Sequence, residues 1–310
     1  MKSLTSNKRK SGNLRLFFRN SKAVIGLVIF SVFVLIAIFA GWIAPYNPQV
    51  SQFLPMQPPS LQNLLGTTST GQDIFSQFVW GTQTTMIVGV GAGLLSTFIG
   101  ILVGVYAGYK GGWVDSVLNT IANIFLVLPG LALLILIESY VKNTTPYSNG
   151  LIIALTGWAW GARVFRAQAM SLAGRDFIIA AKLSGASDLR IIFVEILPNM
   201  MSIIAANVMY ACLGAILAES GLAYLGLENL SSNSWGTMLY WAQAGGAMLG
   251  GAWWWFIPPG LAIALVGMSF ALMNFSIDQI TNPRLRVRKM KNKASGVRKV
   301  ESHGRENASA

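Results

Sequence analysis

Apolar positions in this chain run in long unbroken blocks and do not alternate with polar ones. An α-helix rises about 1.5 Å per residue and the hydrocarbon core of a bilayer is about 30 Å thick, so a span needs ~20 mostly apolar residues. Six segments meet or approach that length, at residues 23–44, 84–107, 117–141, 151–164, 197–222 and 252–276. The first carries no charge and ends at Pro45. A cleavable signal would have an apolar stretch of about 7–15 residues followed by a small-residue cleavage site, so this segment is expected to be a retained anchor. The pattern predicts an all-α integral membrane protein with six transmembrane helices. It divides the chain into a basic arm at 1–22, a first helix at 23–44, an external loop at 45–83, a five-helix core at 84–278 and a basic tail at 279–310.

Composition agrees: 53% of residues are hydrophobic and 11% charged, against roughly 25% charged in soluble domains. The formal net charge of +12 would suggest nucleic acid on a soluble chain, but its placement gives another reading. On the six-span scheme 22 of the 23 basic residues fall on one face, in the two tails and near Lys110, Arg163, Arg166, Arg175, Lys182 and Arg190, leaving Lys142 opposite. Cytoplasmic flanks carry the excess of Lys and Arg, so both termini are expected in the cytoplasm, with a lipid membrane and no nucleic acid as partner. The tails could also attract anionic lipid. One cysteine, Cys212, and one histidine, His303, exclude an intrachain disulfide and a zinc finger.

Few groups can carry chemistry. The chain has no GxxxxGK[ST] phosphate loop, HExxH, GxSxG or EF-hand pattern, so no ATP site, catalytic residue or metal site is expected in it. Glu138, Glu219 and Asp278 lie near span ends. Ionisable groups at membrane depth are candidates for function because burying a charge in lipid is costly. Glu138 and Glu219 are therefore candidate gate or translocation-pathway residues, with hydrogen-bonded or snorkelling structural roles as the competing reading. Trp253, Trp254 and Trp255 suit an aromatic belt at the headgroups, a substrate gate being the alternative. In the second span Gly89, Gly93, Gly100, Gly104 and Gly108 make a small-residue seam for close helix packing.

Residues 175–199 on the cytoplasmic side carry the most information. Phe177 to Leu183 reads as a helix, Ser184-Gly185 as a break, and Asp188 to Ile196 as a second helix before Pro198 opens the fifth span. Ala180, Ala181 and Gly185 offer a small-residue surface where a partner could sit close. An ordinary interfacial loop is the plainer alternative.

Here the sequence resembles a known family. Ala180, Ala181, Gly185, Ala186, Ser187, Ile192, Phe193, Ile196, Leu197, Pro198 and Asn199 are similar to the "EAA" loop of ABC importer permeases. Leu65-Gly66-Thr67 with Gly71, Asp73 and Ser76 resembles the LGTDxxGRDxxS element, and residues 107–115 resemble the AGYxGGWxD turn. Leu217-Ala218-Glu219 with Leu225-Gly226-Leu227 resembles the LAExxLxFLGLG run, and Ser234-Trp235-Gly236 and residues 282–286 complete the set. The subgroup resembled is the dipeptide/oligopeptide (peptide/opine/nickel) permease, C-type subunit. The sequence departs from the pattern at Ile179, Glu195, Thr68 and Gln72, and keeps only Asp278 of a GDxLRD stretch.

The resemblance implies a type I ABC importer transmembrane domain in a prokaryotic cell membrane. Its partners would be a second homologous permease, two cytoplasmic ATPase subunits and an external solute-binding protein. ATP and Mg would bind on the ATPases, with no cofactor in this chain. Ala180, Ala181, Lys182, Ser184, Gly185, Ala186, Ser187 and Asp188 would form the ATPase-coupling segment, and the solute would be a peptide, with oligosaccharide and nickel importers in the same subgroup. Two rivals stay open: an ion-coupled secondary transporter, for which Pro129-Gly130 and Pro258-Pro259 could break helices, and a membrane scaffold.

Overall fold

The structure is a computed structural model describing residues 20–141 and 145–281, the last four by backbone alone. Residues 1–19, 142–144 and 282–310, with most of both basic tails and Lys142, lie outside the described residues, as does the Asp278 side chain. The described elements are helical: α1 Ser21–Ile38, α2 Ala40–Ile43, α3 Ile74–Lys110, α4 Gly112–Val127, α5 Gly130–Tyr140, α6 Pro146–Ala173, α7 Asp176–Leu183, α8 Asp188–Arg190, a π-helical turn Ile191–Ile196 running into α9 Leu197–Tyr224, α10 Trp235–Ala244 and α11 Trp253–Thr281. Four stretches are long and apolar enough to cross a membrane singly: α1, α3, the run from α8 through α9, and α11.

The third expected span is not one straight helix. Pro129 forces Leu128 into extended backbone (ψ 132), so α4 and α5 meet at an 88° bend. The fourth expected span lies within α6, which reaches further at both ends. It is capped by Thr145, whose hydroxyl accepts from the Ser148 N–H at 3.2 Å while Ser148 Oγ accepts from the Thr145 N–H at 2.7 Å. Arg163 and Arg166 keep α6 from being a continuous apolar run. By contrast, Pro258 and Pro259 do not interrupt α11. They stand at its sixth and seventh positions, where each removes one intrahelical N–H bond and the helix nonetheless continues. Pro198 is the second residue of α9, just after the widened turn in which Leu197 N–H reaches Ile192 O.

Helix α3 is the hub, packed most extensively on α6 and then on α9 and α1. Its glycine seam makes this possible in two stages. A Cβ at Gly93 would lie 2.5 Å from the Cys212 backbone of α9, and one at Gly104 would lie 2.2 Å from the Ala162 carbonyl of α6. No side chain fits at either distance, so the backbones touch directly. Gly104→Ala is expected to force α3 and α6 apart and lower the Tm of the purified chain by several degrees. Gly91→Ala, whose Cβ would meet nothing within 4 Å, should leave it unchanged. Equal Tm values for the two variants would contradict the seam.

The stretch expected as an external loop is ordered, and α3 begins within it at Ile74. Buried Asp73 caps α3, accepting from the Ser76 N–H at 2.8 Å, the Ser76 hydroxyl at 2.7 Å and the Asn63 amide at 2.9 Å. Thr68 and Gln72, two of the departures from the family pattern, bond each other: Thr68 N–H donates to Gln72 O at 3.0 Å and Gln72 N–H to Thr68 Oγ1 at 3.1 Å. The tryptophans divide. Trp253 is exposed as a belt residue would be, whereas Trp255 and Trp235 are buried, and Trp235 Nε1 donates to Thr82 Oγ1 at 3.2 Å.

Candidate functional site

The segment 175–199 folds as helix, turn and helix. Helix α7 ends with Gly185 N–H donating to Lys182 O at 3.0 Å and Ala186 N–H to Ala181 O at 3.1 Å. This paired closure requires a left-handed residue in the turn, and Gly185 supplies it at φ +78. Ser187 then caps α8, its Oγ accepting from the Arg190 N–H at 3.4 Å, with Asp188 in the favourable first turn.

Apolar anchors fix this piece to the bundle. Ile178, Ile191, Ile196 and Met200 are fully buried against Phe165, Val105 and Tyr109. Polar ties add direction. The Tyr109 hydroxyl donates to Asp188 Oδ1 at 2.7 Å, and the Lys110 ammonium pairs with Asp188 Oδ2. The Lys182 ammonium sits 4.8 Å from the centre of the Tyr109 ring. Nearby, Arg166 of α6 makes a two-pronged bond to Asp115 of α4. The AGYxGGWxD-like turn and the 175–199 segment are thus one assembly, joined through partners about eighty positions apart.

The eight residues singled out in the sequence divide between two faces. Ala181 and Ala186 are half-buried and pack inward on the apolar cluster. Ala180, Lys182, Ser184, Gly185, Ser187 and Asp188 are exposed, and beside them stand Leu183 (85% exposed) and Leu189 (67%). These two leucines escaped the sequence reading, although leucine next to a glycine turn on a basic face is a visible oddity. An exposed apolar tip of this kind suits a contact with a protein or with the membrane.

The second feature lies at the other end of the bundle. Glu138 of α5, Glu219 of α9 and Glu228, in the segment after α9, are all buried, and Glu219 and Glu138 both bear electrostatically on Glu228. The Ser220 hydroxyl donates to Glu219 Oε2 at 3.1 Å, and the hydroxyls of Ser234 and Thr85 also favour that carboxyl's charged form. The Asn149 amide, oriented nitrogen-inward, donates to Glu138 Oε1 at 3.2 Å. Both oxygens of Glu228 lack a partner. Burial first, then the neighbouring Glu219 and Glu138, disfavour the ionised form of Glu228 and push its pKa up to about 9. Sequence reasoning paired neither Glu138 with Glu219 nor either with Glu228, because nothing in their spacing shows that α5 and α9 converge there. Among the described residues no group of His, Cys, Asp and Glu could hold a metal ion.

Comparison with known proteins places the chain. Residues 100–287 match the family described as the binding-protein-dependent transport system inner membrane component. The chain belongs to that family. Residues 13–63 match the N-terminal TM domain of oligopeptide transport permease C, so this family member also carries the C-type N-terminal segment. It is 33% identical over 274 residues to the dipeptide transport system permease protein DppC of Bacillus subtilis, covering 86% of this chain and 83% of that one. It is 31% identical over 272 residues to the oligopeptide transport system permease protein OppC of the same organism (87% and 88%). It is 35% identical over 221 residues to OppC of Mycobacterium tuberculosis (70% and 76%). The family match and the apolar helices make it a multi-pass membrane permease component of a transport system.

Proposed function

We propose that this chain is one of two homologous permease subunits of an ATP-driven importer that takes up peptides delivered by an external binding protein, two cytoplasmic ATPases supplying the energy. Six membrane crossings, with α4 and α5 together as the third and α6 as the fourth, put both termini on the cytoplasmic side of a prokaryotic cell membrane. The observation that carries the reading is the 175–199 assembly: a glycine-turned helix pair with Leu183 and Leu189 projecting, anchored through Asp188 to the end of α3. Ala180 to Asp188 sit in a cleft of one ATPase, and closure of the ATPase pair moves them as a rigid piece. Because Tyr109 and Lys110 hold Asp188, that motion passes into α3 and so into α6 and α9, switching access between the two sides.

Glu138 and Glu219 act as a gate from behind the wall. With Glu228 they form a buried group of carboxyls near the outer ends of α5 and α9, and no solute touches them. Purification of the tagged chain from mild detergent is expected to bring down a second permease and two ATPases, and cells carrying the set take up labelled tri-alanine only when ATP is available. A chain that purifies alone and drives uptake from a proton gradient would overturn the reading in favour of a secondary transporter. Uptake of an oligosaccharide or nickel but no peptide would keep the importer and change its cargo.

A further inference from the structure

Two stretches of the chain carry no charge at all, residues 23–72 and 229–277, where a soluble surface would have roughly 25% charged residues. Each joins a membrane span, α1 or α11, to a loop at the same end of the bundle. The loop before α11 is shaped by glycine. Gly246 (φ +71) and Gly251 (φ +67) take left-handed backbone on either side of its tip. Ala247 N–H donates to Ala242 O at 2.9 Å and Ala252 N–H to Ala247 O at 2.8 Å, closing both ends. Ala247 and Ala252 are buried beneath the turn, and its tip presents Met248 and Leu249 outward, Leu249 at 97% exposure.

The loop after α1 lies against this turn. A Cβ at Gly250 would sit 2.9 Å from Met56 Cε, and one at Gly66 would sit 2.8 Å from Trp254 Cδ1. Met56 is the one non-glycine residue with left-handed backbone among the described residues, at φ +55, a strain that persists only where the surroundings over-determine it. Its N–H donates to Thr68 O at 2.9 Å, and its side chain packs on the apolar cluster that includes Ala252 and Trp255. From this fixed frame Leu54 projects, and Leu61 is 100% exposed. Trp42 in α2 and Trp253 at the start of α11 are exposed as well. Helix α11, with 29 residues, is about 43 Å long. That exceeds the ~30 Å hydrocarbon core, so its first turns stand at headgroup level.

Resting on the six-crossing topology above, we propose that the two loops form one rigid plate seated in the headgroup layer of the outer leaflet, with Met248, Leu249, Leu54 and Leu61 entering the lipid. Large apolar side chains gathered on an exposed surface mark a contact, and this surface continues the lipid-facing sides of α1 and α11 with no charged residue intervening. A water-soluble partner is commonly steered onto its site by complementary charge, and these stretches offer none. Exposed indoles where the spans meet the loops suit the same depth. Because glycine closures and the Met56 contact hold the tip in place, insertion orders little that is not already ordered.

The test reconstitutes the permease–ATPase complex in liposomes with a nitroxide on single cysteines, leaving native Cys212, which is 2% exposed, in place. Leu249→Cys and Leu61→Cys are compared with Ser231→Cys, an exposed position near Gln49, and with Val28→Cys on the exposed apolar face of α1. Oxygen concentrates in lipid and a neutral nickel chelate in water, so the ratio of their collision rates reads depth. At 249 and 61 that ratio is expected to be about tenfold higher than at 231 and to approach the value at 28. A ratio at either position equal to that at 231 would overturn the plate. Labels open to the chelate until the external binding protein is added, and shielded afterwards, would also overturn it, in favour of a protein-docking surface. The topology is read separately, by a membrane-impermeant thiol reagent that should reach Ser231→Cys from outside intact cells. Reaction there only from inside would refute the crossing scheme instead, because the oxygen and nickel contrast does not depend on which leaflet is involved.

Discussion

Gly185→Val is expected to reduce uptake by about a hundredfold while the chain still inserts and folds, because a β-branched residue at φ +78 costs on the order of 1–3 kcal/mol. Two effects combine in that loss. The first is strain, since the turn that aims α7 and α8 needs a left-handed residue. The second is bulk at the surface where a partner docks: nothing among the described residues lies within 4 Å of a Cβ at Gly185, so added bulk there bears on the partner. Gly185→Asn separates them, as asparagine tolerates the left-handed region. If the asparagine variant regains uptake, strain dominates; if it loses the ATPases on purification, close docking dominates. Normal uptake by Gly185→Val would sink the coupling role of the whole segment. Membrane insertion and Tm of the purified chain guard against simple misfolding, because the buried Ile178 and Ile191 anchors are untouched.

The turn at Gly185 was legible because its cause is local: an apolar run, a glycine where the helix must stop, and a serine three positions before Arg190. The glycine seam of α3 was legible for a similar reason, since small residues at helical spacing allow little else. The break at Pro129 was visible as a dipeptide, but its 88° consequence depends on which neighbours support the bent backbone. The fourth helix read short because Arg166 looks like the end of a membrane segment. Its charge is answered by Asp115, fifty-one positions earlier, and sequence order does not show such a partner. Asn207 is visible in the sequence as an amide well inside an apolar span, but its buried bond with Thr97 joins positions 110 apart that sequence order does not pair. Thr68 and Gln72 looked like losses from a family pattern, yet together they make a neutral pair that closes the same turn.

Raising the pH is expected to loosen the outer end of the bundle, and Glu228→Gln is expected to abolish that sensitivity. Glu228 lies outside the spans, beyond α9, with both carboxyl oxygens buried and unpartnered. Burial first, then the neighbouring Glu219 and Glu138, push its pKa from 4.5 up to about 9. The packed state therefore keeps a proton that an opened state would release. Below about pH 4.5 both states are protonated and the group is neutral in its effect; as pH rises from there to about 9, packing is progressively disfavoured, and above that the loss is complete. The groups facing Glu228 are Glu219 from α9 and Glu138 from α5, with the Ser220 hydroxyl bonded to Glu219 and those of Thr85 and Ser234 acting on it, so the described neighbours offer hydroxyls and carboxyls. Protection factors at residues 136–140 and 219–230, which remove the intrinsic rise of amide exchange with pH, should fall severalfold between neutral pH and about pH 9 in the wild type and stay level in Glu228→Gln. The cluster lies one turn beyond Leu134 and beside Ala218, both on the border of a cavity of about 670 Å³. Loosening it therefore widens the outer end of that cavity, and the external-pH profile of uptake should flatten in the same variant. A wild-type exchange rate independent of pH, beyond the intrinsic chemistry of the amide, would remove the three carboxyls from the gate.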